Sequence, residues 1–99
     1  MIITFANGDV LNNVNRINER YDFSDWSDGK VHLEIFMNAG SISESMELLE
    51  GLNGAAFVAE NSKGNSVTFS GYSGQSIRND IDDERQEFVI ELIKEVEEN

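Results

Sequence analysis

The chain has 99 residues, of which 39% are hydrophobic and 9% aromatic, enough for one domain with a single modest core. Its 19 acidic side chains and seven lysines and arginines give a net charge of −12, which disfavours direct binding to nucleic acid or to an anionic membrane. The absence of cysteine excludes disulfides, thiolate metal sites and thiol nucleophiles.

The N-terminus and the hydropathy pattern set the expected compartment. The first residues carry neither the basic region nor the long apolar region of a secretory signal. No apolar run reaches the roughly 20 residues that a membrane-spanning helix needs. We therefore expect one domain, residues 1–99, that works inside a cell.

The chain opens with the pattern of a β-hairpin. Ile2 to Phe5 is rich in β-branched and aromatic residues, and Asn7-Gly8 tolerates the positive φ angles of a tight turn. Val10-Leu11 begins the return strand. Residues 12–18 contain four asparagines, so this stretch is a poor continuation of the strand and also a poor helix.

Residues 21–29, with the sequence YDFSDWSDG, alternate aromatic and acidic side chains. One interpretation is an irregular loop whose rings pack onto the core, because aromatic rings bury large areas. The other is an exposed contact patch in which Tyr21, Asp25 and Trp26 touch a partner, because Trp and Tyr are favoured at interface hot spots. The spacing of the aspartates does not match a calcium-binding loop.

A second clear strand and a helix follow. From Val31 onward, every second residue of Lys30 to Met37 is aliphatic or Met, as in a strand with one buried face. We expect the only histidine, His32, to be a surface residue, since no ordered nucleophile or second metal ligand accompanies it. Ser41 or Ser43 caps a helix whose apolar stripe consists of Ile42, Met46, Leu49 and Leu52.

The segment around which the other elements are organised is a second hairpin, Ala55 to Tyr72. Two runs of alternating residues flank the polar turn Asn61 to Asn65, in which Gly64 is suited to a left-handed conformation. A two-stranded hairpin alone is only marginally stable in water. Other elements must therefore cover its apolar face.

The C-terminal segment is acidic and ambiguous in structure. Residues 86–98 fit a helix by their periodicity and a strand by their β-branched content. Residues 80–98 hold nine acidic and two basic side chains, which is more than half of the net charge. Three of the acids alternate, but the glycine and the distal glutamate of a calcium loop are out of register, so we expect neither a metal site nor a cofactor.

Together these elements predict an α+β domain. It consists of an antiparallel sheet of about four to five strands, one short helix packed on one face and an acidic C-terminal segment. The helix covers the sheet because its apolar stripe and the buried face of the strands must exclude water together. The residues expected in the core are Phe5, Leu33, Ile35, Met46, Leu49, Val58, Phe69 and Leu92.

Several short motifs resemble those of a group of small phage and prophage proteins. They are Ile3-Thr4-Phe5, Leu33-Glu34-Ile35, Glu47-Leu48-Leu49, Phe57-Val58, Phe69-Ser70-Gly71-Tyr72 and Ser76-Ile77. Such proteins are commonly encoded beside tail and baseplate genes in phages of Gram-positive bacteria, and the resemblance implies a further strand at residues 87–94. In size and acidity the chain is also similar in kind to anti-defence proteins, including anti-CRISPR proteins, many of which place carboxylates where phosphates would sit.

The function expected from these features is that of a non-enzymatic acidic inhibitor. It would occlude the nucleic-acid-binding surface of a basic defence protein, such as a nuclease or effector, in the host cytoplasm, without binding nucleic acid or a membrane itself. Self-association as a homodimer is compatible with the sequence. The residues expected to touch the partner are Asp80, Asp82, Asp83, Glu84, Glu87, Glu91, Tyr21, Asp25 and Trp26.

Two other classes of function compete with this one. A small virion or tail-associated assembly protein would dock through its sheet edges and its C-terminal tail. An enzyme needs a nucleophile with a base, paired carboxylates in a cleft or a metal cluster, and the sequence contains no motif for any of these. We therefore expect no catalytic residue.

Overall fold

The computed structural model describes residues 1–38, 45, 47–49, 51–78 and 87–96, with residues 74–78 described in their backbone only. Within this part of the chain there are eight strands: β1 Ile2–Phe5, β2 Val10–Leu11, β3 Val14–Asp22, β4 Lys30–Asn38, β5 Phe57–Glu60, β6 Ser66–Phe69, β7 Ser73–Arg78 and β8 Glu87–Glu95. They form two antiparallel sheets. Sheet 1 has the strand order β2-β1-β5-β6 and sheet 2 the order β3-β4-β8-β7.

The expectation of an antiparallel sheet is confirmed, but the described residues are mostly strand with only residues 45 and 47–49 helical, so they form a sheet-rich fold rather than the expected α+β fold with one packed helix. The extent of the sheet is also corrected. A single sheet of four to five strands was expected, whereas the described residues form two sheets of four strands each. The difference arises mainly from β3 and β7, which the local sequence pattern did not identify as strands. Both pair with long partners in sheet 2, so ladder hydrogen bonds compensate for their weak intrinsic strand preference.

Sheet 1 contains both hairpins that the turn residues predict. β1 returns as β2 through Asn7-Gly8, where Gly8 has a φ of 92° and its N–H donates to Phe5 O at 2.9 Å. β5 returns as β6 through residues 61–65, where Gly64 has a φ of 83°. The two hairpins are joined by pairing of β1 with β5.

Sheet 1 buries the face that carries its aromatic rings. Phe57 is 1% exposed and stacks on Phe69 with ring centres 5.4 Å apart, while Phe5 lies 6.0 Å from Phe57 on the other side. The placement of Val58 in the core is wrong: it lies on the opposite face and is 37% exposed. Phe69 is only partly buried because β6 is the last strand of sheet 1.

Sheet 2 holds the longest strands, with nine residues each in β3, β4 and β8. Residues 14–18 of the asparagine-rich stretch and Tyr21-Asp22, all expected outside strands, belong to β3, which pairs with β4 as far as Asp22–Lys30. Residues 87–95 form a strand, so the helical alternative is wrong there. β8 has a neighbour on each side, and its two hydrogen-bonded ladders outweigh the helical periodicity of its sequence.

The buried faces of both sheets belong to one hydrophobic core, which also includes Leu52 and Tyr72. Residues 45 and 47–49 are helical, and Leu49 contributes to the core from this turn. The helix residues Ser41, Ile42, Ser43 and Met46 lie outside the described residues. The expected core residues that are buried as predicted are Phe5, Leu33, Ile35, Leu49 and Leu92.

Tyr72 connects the two sheets. It follows β6 and is 0% exposed, and its ring meets Phe69 edge-on at 6.3 Å. Lys94 of β8 places its Nζ 4.6 Å from the ring centre, and the Tyr72 hydroxyl donates a hydrogen bond to Glu19 of β3. The buried ring thus adds apolar area to the core while its hydroxyl finds a partner.

Candidate functional site

The β3–β4 hairpin ends in an exposed aromatic segment, residues 21–29, which we call the hairpin tip. Tyr21 is 64% exposed, Phe23 is 75% exposed and Trp26 is 96% exposed. The interpretation in which these rings pack onto the core is therefore wrong. The rings instead lie at the surface, as the contact-patch interpretation requires.

Two serine side chains define the conformation of the hairpin tip. The Oγ of Ser27 accepts a hydrogen bond from the N–H of Ser24 at 2.9 Å and donates to Asp22 O at 3.1 Å. The Oγ of Ser24 accepts from the N–H of Trp26 at 3.3 Å. Such local side-chain to backbone bonds are typical of ordered turns. Neither serine is among the site residues expected from the sequence, although serine among aspartates is itself a turn signal.

The hairpin tip is acidic as well as aromatic. Asp22, Asp25 and Asp28 are all exposed, and no basic residue occurs between positions 21 and 29. The Tyr21 hydroxyl donates to Glu19 Oε1 at 3.2 Å. This hydrogen bond, together with the negative charge of Glu19, raises the pKa of Tyr21 because both favour the protonated phenol.

A groove of about 530 Å³ lies beside the hairpin tip, and Trp26, Lys30 and His32 are among the residues that line it. His32 Nδ1 lies 2.7 Å from Glu91 Oε1, and only 15% and 12% of the two side chains are exposed. The expectation that His32 is a surface residue is therefore corrected. β4 lies between β3 and β8, so side chains of both neighbouring strands shield His32 from water.

The sequence predicts six partner-binding carboxylates in the C-terminal segment, and two of them lie among the residues that the structure describes. Glu91 belongs to the histidine pair, and His32 brings it close to the groove lined by Trp26. Glu87 is partly buried at the far end of β8 and accepts a hydrogen bond from Asn15 Nδ2 at 2.9 Å. The remaining four, Asp80, Asp82, Asp83 and Glu84, lie outside the described residues.

Other charges on the same face of sheet 2 have partners nearby. Glu34 is 9% exposed, and its Oε1 accepts from Asn18 Nδ2 at 3.0 Å, with Arg20 Nε 4.0 Å away. The Arg16 guanidinium lies 3.9 Å from the ring centre of Phe36. These contacts occupy the middle of the face. The hairpin tip is where aromatic rings and carboxylates are exposed together.

Several kinds of site receive no support in the described part of the chain. There, no group of three or more His, Asp or Glu side chains is arranged to hold a metal ion. No described helix is long and apolar enough to cross a membrane. No protein-family model matches the chain, and comparison with curated proteins and with solved structures yields no match.

Proposed function

We propose that this chain is a non-enzymatic, phage-derived inhibitor that binds a basic, nucleic-acid-binding protein of the host. Its hairpin tip contacts the partner directly, and its carboxylates occupy the place of nucleic-acid phosphates. The partner class is a nuclease or effector of a defence system in the host cytoplasm. Binding by occlusion requires no catalytic residue, metal or cofactor.

The observation that carries the proposal is the exposure of Trp26. A tryptophan that is 96% exposed contributes little to folding, yet the turn that presents it is held by the hydrogen bonds of Ser24 and Ser27. Aromatic anchors of this kind carry much of the energy of protein interfaces, especially when the free protein already holds them in place. The hairpin tip is therefore suited to a partner with a pocket for the indole ring.

The charges around Trp26 specify the chemistry of that partner. Asp22, Asp25 and Asp28 are exposed in the same turn as Trp26, and this turn contains no lysine or arginine. Surfaces that bind nucleic acid are rich in Lys and Arg, because contacts to phosphates dominate their affinity. A carboxylate array would compete for those side chains and would be drawn to the partner over a distance.

The experiment begins with capture from a host lysate on immobilised protein and continues with the purified partner. Binding kinetics are measured against salt, and duplex DNA or RNA is then titrated into the complex. We expect nucleic acid to displace the protein and affinity to fall as salt rises. Trp26→Ala should raise the dissociation rate by roughly 30-fold or more, as expected for an interface hot spot.

Charge reversals complete the design. Asp25→Lys should lower the association rate, and reversing Asp82 and Asp83 to Lys in the same variant should lower it further. Glu60→Lys is the matched control, since it makes the same charge change on an exposed residue of sheet 1, away from the hairpin tip. Simultaneous binding of the partner and nucleic acid, or equal effects of Asp25→Lys and Glu60→Lys, would contradict the proposal.

The second candidate is a small virion or tail-associated assembly protein. It is favoured by an uncharged strand, β6, at the edge of sheet 1, because open strand edges are common docking surfaces. Under this alternative the gene lies among tail genes, and the protein remains with purified virions. Nucleic acid then has no effect on its binding.

A further inference from the structure

The edges of the two sheets differ in how they discourage pairing with another chain. β3 carries Arg16, Glu19 and Arg20 at its edge and has an irregularity in pairing between Val14 and Arg16. Charges and bulges of this kind are the usual protection of an edge strand. β6 has the sequence SVTF, pairs with β5 without a register shift and contains neither a charged residue nor proline.

The edge formed by β6 is also exposed. Ser66 and Thr68 are exposed, and Val67 is 51% exposed although it lies on the core side of sheet 1, opposite Ala59. Among the described strands β6 pairs only with β5. In an antiparallel edge strand, alternate residues direct their N–H and C=O groups away from the sheet. β6 can therefore accept one further antiparallel strand.

The distribution of charge indicates which protein supplies the further strand that β6 can accept. Residues 1–13 and 51–73, which contain sheet 1, hold two acids and one lysine, whereas residues 14–38, 74–78 and 87–96, which contain sheet 2, hold eight acidic and five basic side chains. Two copies of a chain with a net charge of −12 repel each other across most of their surfaces. Among the strands that the structure describes, this repulsion is weakest where sheet 1 meets sheet 1.

We propose that a second copy of this chain pairs with β6 through its own β6, in antiparallel orientation about a twofold axis. Antiparallel pairing of identical strands is self-complementary, as a twofold interface requires, and joins the two copies of sheet 1 into one eight-stranded sheet. Directly opposed residues of two antiparallel strands lie on the same face of the sheet. Two registers are therefore open: Val67 lies opposite Val67 of the second copy, or Thr68 lies opposite Thr68 of the second copy. Val67 lies in the interface in both registers. Four paired residues bury a small area, so the dimer forms at high protein concentration.

Disulfide trapping tests the pairing directly, because the chain contains no cysteine. Val67→Cys and Thr68→Cys are each oxidised mildly at high protein concentration, and cross-linked dimer is measured on non-reducing gels. One of the two variants should cross-link rapidly, which also reports the register. Val10→Cys, on the short edge strand β2 and 46% exposed, is the matched control. Failure of both β6 variants, or equal cross-linking of the control, overturns the proposal.

A charge at the same edge provides a second test. Val67→Lys should raise the dissociation constant of the dimer at least tenfold in sedimentation equilibrium, while Val10→Lys should leave it unchanged. Added salt should strengthen the dimer, because it screens the repulsion between two acidic chains. A monomer at every salt and protein concentration overturns the dimer. If an extended peptide or another protein binds to β6 while no cross-linked dimer forms, the edge has a different occupant. That result also overturns the proposed dimer. The outcome for Trp26→Ala in the inhibitor experiment does not depend on either result.

Discussion

Sheet 1 and sheet 2 share one core but present opposite kinds of surface to water. The exposed positions of sheet 1 are mostly small, polar or β-branched, as at Thr4, Val58 and Thr68. On sheet 2, several charged side chains are paired or stacked, among them Glu34, Glu91 and Arg16, and the β3–β4 hairpin extends into an acidic aromatic turn. The segments that contain sheet 1 carry a net charge of −1 and those that contain sheet 2 and the hairpin tip carry −3, so the two surfaces are suited to different partners.

This division has a direct consequence for salt dependence. A complex between the hairpin tip and a basic partner is attractive over a distance, so salt should weaken it. Association through β6 brings together two chains of the same negative sign, so salt should strengthen it. One protein should thus show salt effects of opposite sign at its two surfaces.

The largest loss of stability is expected for a substitution on the sheet 1 side of the core that the two sheets share. Phe57→Ala removes a ring that is 1% exposed and contacts two other aromatic rings, and it should lower the free energy of unfolding by about 3–5 kcal/mol. Val58→Ala, one residue away on the opposite face, is the control and should cost less than about 1 kcal/mol. Urea denaturation measures both. Equal losses would show that the faces of β5 are assigned incorrectly.

The next effect tests the connection between the sheets. Tyr72→Phe keeps the buried ring but removes the hydroxyl that donates to Glu19, and it should cost about 1.5–3 kcal/mol. Tyr21→Phe is the control, because the hydroxyl of Tyr21 donates to the same carboxylate from an exposed ring. A similar loss in the two variants would mean that burial of the Tyr72 bond is not what matters.

The same residue predicts a pH dependence. Burial, followed by the hydrogen bond to Glu19, raises the pKa of Tyr72 above its ordinary value of 10. The unfolded chain therefore loses this proton at lower pH than the folded protein. The stabilisation is complete below pH 10 and declines as the pH rises further. Tyr72→Phe should remove this part of the alkaline loss in thermal unfolding; unchanged steepness would contradict the prediction.

A smaller effect is expected at the turn of the β5–β6 hairpin. Gly64 has a φ of 83°, and no atom lies within 4 Å of the position that a Cβ would occupy, so the cost of a side chain comes from the backbone alone. Gly64→Val should destabilise by about 1–2 kcal/mol. Ser62→Val, in the same turn but without a positive φ, controls for exposing a valine. If both variants melt at the same temperature, strain at Gly64 is not the cause.

The smallest effect on folding is expected at the hairpin tip. Trp26→Ala should change the free energy of unfolding by no more than about 0.5 kcal/mol, because the ring is almost fully exposed. The fluorescence of this single tryptophan should resemble that of indole in water before and after unfolding, and iodide should quench it in both states. A large blue shift in the isolated folded protein would show that the ring is buried.

Much of the fold could be predicted where the signal is local. Asn7-Gly8 and Gly64 mark the two turns because a positive φ is a property of single residues. Alternation identified β4 and β5 because side chains of a strand point to opposite faces in turn. Alternation does not say which face is buried, however, and Val58 was assigned to the wrong one.

Less of the candidate site could be predicted, because its parts are brought together by pairing between distant strands. His32 and Glu91 are 59 residues apart and meet because β4 pairs with β8. The aromatic and acidic character of residues 21–29 was visible in the sequence, but either burial or exposure was compatible with it. The extension of β3 to Asp22 sets the turn beyond the sheet and leaves its rings in water.

The sequence by itself determined the net charge and an apolar content sufficient for one small domain, because both follow from composition alone. It also determined the two glycine turns and the alternating strands, because these depend on residues that are neighbours in the chain. Tertiary structure decided that the described strands form two sheets, that residues 14–18 of the asparagine-rich stretch are part of a strand and that residues 87–95 form an inner strand of sheet 2. The physical reason is that a strand gains its hydrogen bonds from a partner far away in sequence, so its stability depends on what lies beside it more than on its own residues.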